Sequence, residues 1–188
     1  MAVRHQDVPD ELAIFFESSP VALELAAPDG DHELLLVNRR FQELTGYPPG
    51  EAIGRNCRFL QGSARDQEAR GKLRQFLVRD DMANVRTTIV NFKRDGTAFV
   101  NLLYMSRLRA LSGETRFIFA SQFDVSRAQP QLLEGYDREL GDTLTRLSPI
   151  AAESGIIVEG SLTTIAQSAT TIAQAKLTLA DLDDGSML

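Results

Sequence analysis

Gly54-Arg55-Asn56-Cys57-Arg58-Phe59-Leu60-Gln61-Gly62 is the stretch on which the reading of this 188-residue chain turns. It holds the only cysteine of the sequence. A lone thiol is ordinarily a small buried hydrophobe. This one has an arginine on either side and an asparagine before it. Nearby positive charge and a helix start can lower a thiol pKa, which opens redox or nucleophilic roles. A cysteine-protease role would call for a histidine base. Only His5 and His32 exist, and His5 falls in the polar N-terminus. From these residues alone, a core cysteine and a reactive cysteine both stay open.

Toward the N-terminus, residues 10–18 carry Leu12, Ile14, Phe15 and Phe16 and predict a short helix that Pro20 ends. Residues 21–27 and 33–38 predict two strands, joined through the turn chemistry of Pro28-Asp29-Gly30-Asp31. Residues 41–45, 49–53 and 56–60 allow only short helical pieces. Residues 66–78 predict a longer helix, with Ala69, Leu73, Phe76 and Leu77 at helical spacing. Then the period changes. Residues 85–93, 98–110 and 114–124 are rich in β-branched and aromatic side chains, with turns at Asp95-Gly96 and Ser112-Gly113. Two strands, several short helices and three long strands predict an α+β domain with a five-stranded antiparallel sheet and helices on one face.

The remainder is helical by pattern. Leu133, Tyr136, Leu140, Leu144 and Leu147 form one apolar stripe; Leu162, Ile165, Ala169, Ile172 and Leu179 form another. Ser148-Pro149 predicts a break between them, with proline at the first position of the next helix. The expected organisation is an N-terminal helical cap over 1–20, a central domain over 21–125 and a two-helix extension over 126–188.

Composition narrows the functions. Hydrophobic residues make up 43% of the chain and charged residues 24%, enough for a packed core and too apolar for disorder. The net charge is −6, and residues 126–188 hold nine acidic against four basic side chains. That balance argues against nucleic-acid binding, including a helix-turn-helix reader. No apolar run reaches the roughly 18–20 residues of a membrane span, and no signal-peptide pattern opens the chain. One cysteine forms no internal disulfide, so a cytoplasmic location is expected. No His/Cys cluster offers a zinc site, so no metal is expected.

The nonapeptide resembles the flavin-binding motif of LOV domains, the blue-light-sensing branch of the PAS family. The resemblance runs over about residues 21–124. It includes Asn91-Phe92, Gly96, Asn101-Leu102 and the closing Gln122-Phe123-Asp124. It implies the same sheet, with a ligand held between sheet and helices. The implied cofactor is FMN, with riboflavin and FAD as other occupants. Asn56 and Gln61 would contact the ribityl chain and ring edge; Arg58 and Arg74, with Arg70 as a third candidate, would bind the phosphate. Asn91 and Asn101 would bond the pyrimidine end. Leu60, Leu77, Leu103 and Met105 would supply apolar walls, and Gln122 would face flavin nitrogen 5. Cys57 would be the photoreactive nucleophile, bonding reversibly to flavin carbon 4a after blue light while nitrogen 5 gains a proton. Gln122 would then reverse its amide to stay bonded. Leu25, His32, Ile118 and Ala120 depart from the plant-type pattern, where threonine, asparagine, phenylalanine and glycine are usual.

The implied function is a blue-light photoreceptor; the alternative is a flavin–thiol redox sensor in which light is incidental. The tail, with Arg138-Glu139-Leu140, resembles weakly the dimerisation hairpin of sensor histidine kinases. No histidine follows His32 and no room remains for an ATP-binding domain, so no enzyme activity is expected. The expected output is a light-dependent homodimer or a separate signalling protein, with the flanking helices covering the outer face of the sheet or pairing across the dimer.

Overall fold

The computed structural model describes residues 8–64, 67–159 and 168–185. Helix α1 (Asp10–Ser18) leads into strands β1 (Ala22–Ala26) and β2 (Leu34–Val37). Helices α2 (Arg39–Thr45) and α3 (Pro49–Ala52), a 3-10 helix at Cys57–Gln61 and α4 (Glu68–Val78) follow. Strands β3 (Asn84–Phe92), β4 (Ala98–Ala110) and β5 (Thr115–Asp124) complete the central unit. Helix α5 (Pro130–Glu153), strand β6 (Ile156–Val158) and helix α6 (Ser168–Gly185) close it. Sheet order is β2-β1-β5-β4-β3, with every described pairing antiparallel. The α+β expectation holds.

Strand alternation divides the sheet chemically. Leu23, Leu25, Val100, Leu102, Tyr104, Phe117 and Phe119 point to one face, where α1, α5 and α6 bury them. Phe16 meets Phe119 edge-on at 5.8 Å, and Phe123 stacks on Tyr136 at 4.4 Å. The opposite face carries Ala120, Ile89 and Leu103 beneath α4 and the 3-10 helix. The flanking helices therefore cover the outer face. Arg86 on β3 and Asp137 on α5 add an ion pair there, each side chain 12% exposed.

Asn38 ties the entry of the fold together. Its Oδ1 accepts from the N–H of Leu23 and, as the N-cap of α2, from that of Phe41, each at 3.0 Å. Its Nδ2 donates to the carbonyls of Phe16 and Val21 at 2.9 and 2.8 Å. One buried amide thus fixes α1, β1 and α2 against each other.

One expectation about the C-terminal part is corrected. No break occurs at Ser148-Pro149: α5 runs on through Pro149 to Glu153. The missing N–H of proline costs a helix interior roughly 3 kcal/mol. The apolar stripe Leu140, Leu144, Leu147 and Ala151, all buried, continues across the proline and holds that turn on the sheet. The helix ends instead after Glu153, with Gly155 just past the C-cap Ser154 at a φ of +67°. The five-stranded sheet stands as expected, and a short sixth strand from the C-terminal part joins it off the main order. Ile156–Val158 pairs with Leu108–Ala110 of β4, on the edge that β3 leaves uncovered beyond Ser106. Of the second stripe, only Ile172 and the partly buried Leu179 can be placed, packed with Ala175 and Leu182 on the α1/α5 core. Leu162, Ile165 and the side chain of Ala169 lie outside the described residues. Among the described residues, no helix is long and apolar enough to cross a membrane.

Candidate functional site

Between the inner sheet face and the helical layer lies a cavity of about 560 Å³. That is within the roughly 300–1,000 Å³ of ordinary ligand sites. Ala26 and Ala120 leave room on the sheet side, and α4 and the 3-10 helix roof it. The 3-10 helix is held by its first residues: Asn56 Oδ1 accepts from the N–H of Arg58 at 2.8 Å, and Asn56 Nδ2 donates to the carbonyl of Asp31. Gly62 ends it with φ +51° and ψ −123°, and a Cβ there would lie 2.8 Å from the Phe92 ring.

Ten of the eleven expected site residues other than Cys57 line this cavity, as does Cys57. They are Asn56, Arg58, Gln61, Arg74, Leu77, Asn91, Asn101, Leu103, Met105 and Gln122. Leu60 is the exception; it is buried with Phe41, Ala52 and Phe76 in the core on the helical side. Arg70, His32, Ile118 and Ala120 also line the cavity. Leu25 does not: it faces the outer helices.

The floor is a hydrogen-bonded string across four strands. Asn91 Oδ1 accepts from Asn101 Nδ2 at 2.9 Å, and the same Nδ2 donates to Gln122 Oε1 at 3.0 Å. Gln122 Nε2 donates to Glu24 Oε2 at 2.7 Å, and the Cys57 thiol donates to that oxygen at 3.0 Å. Asn91, Asn101 and Gln122 are buried. The cationic side chains Arg58, Arg70 and Arg74 are exposed, which puts them at the mouth. Arg58 forms a half-exposed ion pair with Asp31, with a second contact at 2.6 Å.

Glu24, 4% exposed, is the residue that patterning missed. Its signal was one charge in an otherwise apolar strand, Ala22-Leu23-Glu24-Leu25-Ala26. Burial pushes its carboxyl up to about 7, against the opposing effect of the bonds from Cys57 and Gln122. The possibility of a lowered thiol pKa is corrected in turn. Burial, and then the charge of Glu24, push Cys57 well above its ordinary value. The flanking arginines do not offset this: Arg58 turns to Asp31, and Arg55 lies over the Phe59 ring at 4.1 Å. The site offers a cavity with an amide floor, apolar walls, a cationic mouth and a protonated thiol backed by a carboxylate.

Residues 20–127 match the family model for the PAS domain. The chain is 37% identical over 117 residues to a blue-light-activated histidine kinase of Rhizobium johnstonii, covering 61% of this chain and 33% of that protein. Among solved structures, the LOV protein of Rhodobacter sphaeroides superposes with a TM-score of 0.67 at 24% identity, over 93% of this chain and 95% of that one. At that identity the likeness speaks for the fold, flanking helices included. The LOV domain of a blue-light-activated histidine kinase from Erythrobacter litoralis is 35% identical, with a TM-score of 0.52 over 58% of this chain and 98% of that one. The chain spans about one third of the length of the curated kinase it matches. The chain belongs to the PAS domain family, and its relatives there are LOV proteins.

Proposed function

We propose that this chain is a blue-light photoreceptor that holds a flavin, with FMN as the preferred form, and captures it reversibly through Cys57. The observation that carries this reading is the unbroken string from Cys57 through Glu24, Gln122 and Asn101 to Asn91 on the cavity floor. Adjacent amides that can both donate and accept suit the edge of a heteroaromatic ring. Arg74 and Arg70 at the mouth, and Arg58 if it exchanges Asp31, suit a terminal phosphate and favour FMN over riboflavin. Asn56 and Gln61 would meet the chain between them, and Leu77, Leu103 and Met105 the ring faces. When bound, an oxidised flavin would supply blue absorption and an electrophilic carbon beside a basic nitrogen.

Gln122 is the reporting residue in this reading. Its Oε1 accepts from Asn101 while its Nε2 donates to Glu24. Reversing the amide sets its NH2 against the Asn101 donor, a buried mismatch worth about 1–3 kcal/mol. A bias of that size shifts a marginal packing equilibrium severalfold to a hundredfold. The outer helices then respond through β5. The domain over 21–125 is the sensor, and the cap over 1–20 and the extension over 126–188 carry its output, by light-dependent homodimerisation or through a separate signalling protein. No catalytic output is assigned. The redox alternative is weakened by the raised thiol, since a dark redox cysteine works as a thiolate.

The test is an absorbance spectrum of the purified chain. A structured blue band that bleaches on illumination and recovers in darkness is expected, and Cys57→Ser should keep the band and lose the bleach. A colourless chain that refuses added flavin, or a Ser variant that bleaches to the same species, would sink the reading.

A further inference from the structure

Glu24 stands at mid-strand in β1, opposite Ala120 of β5, with its carboxylate inside the cavity. One oxygen, Oε2, receives two donors: the Cys57 thiol at 3.0 Å and the Gln122 amide at 2.7 Å. The Gln122 amide also lies 3.5 Å from Cys57 Sγ, so it braces both partners. A carboxylate in direct contact with a thiol, positioned by a third group, has the layout of a nucleophile with its base and orienter.

The thiol needs such a base. Burial and the neighbouring carboxylate keep its proton on sulfur at rest. Burial also brings the Glu24 carboxyl up to about 7, where a base works best near neutral pH.

We propose that Glu24 is the proton acceptor for Cys57. As sulfur attacks, the S–H bond breaks, its electron pair stays on sulfur for the new S–C bond, and the proton passes to Glu24 Oε2. The π pair of the attacked double bond moves to the atom next to the attacked carbon, which takes the proton from Glu24. The sum is addition of a thiol across a double bond; no external oxidant or reductant enters. In reversal the carboxylate removes that proton and hands it back to sulfur. The identity of the electrophile rests on the flavin reading above; the thiol–carboxylate pairing does not.

The charged and titratable groups sharing the cavity are His32, Cys57, Arg58, Arg70 and Arg74. Cys57 is the one bonded to Glu24, while His32 Nδ1 turns to the carbonyl of Ala27 at 3.1 Å. From α2, packed on β1, the charges Arg39, Arg40 and Glu43 are exposed and paired with each other. Asp124 at the end of β5 bonds Ser126.

The experiment uses the full chain prepared without flavin. Iodoacetamide modification of Cys57 is followed by mass from pH 5 to 10 for wild type and Glu24→Gln, with Cys57→Ser as blank. Wild type should show an inflection near pH 7. Glu24→Gln should lose it and rise in a single step with the ionisation of the thiol itself. Superimposable profiles would overturn the proposal. Should Glu24→Gln not fold, the wild-type profile decides alone: a single rise above about pH 9, the ordinary thiol range, overturns it. A flavin-loaded arm separates the two readings. A chain that takes no flavin but keeps the inflection overturns the photoreceptor reading and supports the base. A chain that bleaches, and whose dark recovery has one pH profile in wild type and Glu24→Gln, overturns the base and leaves the photoreceptor.

Discussion

Ser121 and Gln122 are consecutive on β5 and leave the sheet on opposite faces. Gln122 reaches Glu24 in the cavity at 2.7 Å, while Ser121 Oγ lies 2.8 Å from the Tyr136 hydroxyl of α5. Next to them, Phe123 stacks on the Tyr136 ring. A shift of β5 at Gln122 would therefore be felt directly by the longest helix of the outer layer.

Tyr136→Phe should expose that link. The ring and its stacking stay, but buried Ser121 loses its hydroxyl partner, at about 1–3 kcal/mol or several degrees in Tm. The expected result is a lower melting temperature together with a smaller light-induced change in amide exchange along α5. An unchanged exchange response would remove Tyr136 from the coupling route.

Arg74→Ala should discriminate between flavins. A charge-assisted bond to phosphate is worth about 1.5–3 kcal/mol, so FMN binding should weaken by roughly tenfold or more. Riboflavin, which lacks the phosphate, should bind the variant and wild type alike. Equal losses for both flavins, measured by fluorescence titration, would show that Arg74 acts on the shape of the pocket and not on the anion.

Stability of the flavin-free chain should fall as pH rises through neutrality. An unfolded glutamate titrates near 4.3–4.5, while burial holds Glu24 near 7. Between those values the folded chain binds the extra proton, so unfolding free energy drops across that window and levels off above it. The contribution is about 3 kcal/mol, present in full below pH ~4.5 and lost above about 7. Urea melts across this range should show the slope in wild type and lose it in Glu24→Gln.

Gly62→Ala should damage the turn that aims Cys57. The backbone there has φ +51° and ψ −123°, a region costly for any residue with a Cβ, and the added carbon meets the Phe92 ring at 2.8 Å. A loss of about 1–3 kcal/mol is expected by thermal melting, with weaker flavin uptake. Wild-type stability in this variant would mean that the loop relaxes freely.

The central unit was legible because its signals are local. Turn residues at Asp95-Gly96 and Ser112-Gly113 mark two hairpins, and the nonapeptide around Cys57 points to the cavity through its resemblance to LOV domains. Three features escaped for physical reasons. Pro149 reads as a stop, yet the buried stripe through Leu147 and Ala151 outweighs the lost hydrogen bond. Ile156–Val158 is too short to show a period and becomes a strand only because β4 offers it an open edge. Glu24 has the charge of a solvent-facing residue, and its burial depends on Cys57 and Gln122, 33 and 98 positions away. Arg58 shows the reverse limit: its presence could be read, but not its capture by Asp31 from the turn after β1.

Strand β6 has a mechanical consequence. Helix α5 is moored to the sheet twice: at its start through the end of β5, and past its end by three residues zipped to β4. It cannot swing outward like an arm on one hinge. It can roll or slide in place, or the short zipper must first peel from Leu108–Ala110, making that peeling the step that would gate any large excursion of the tail.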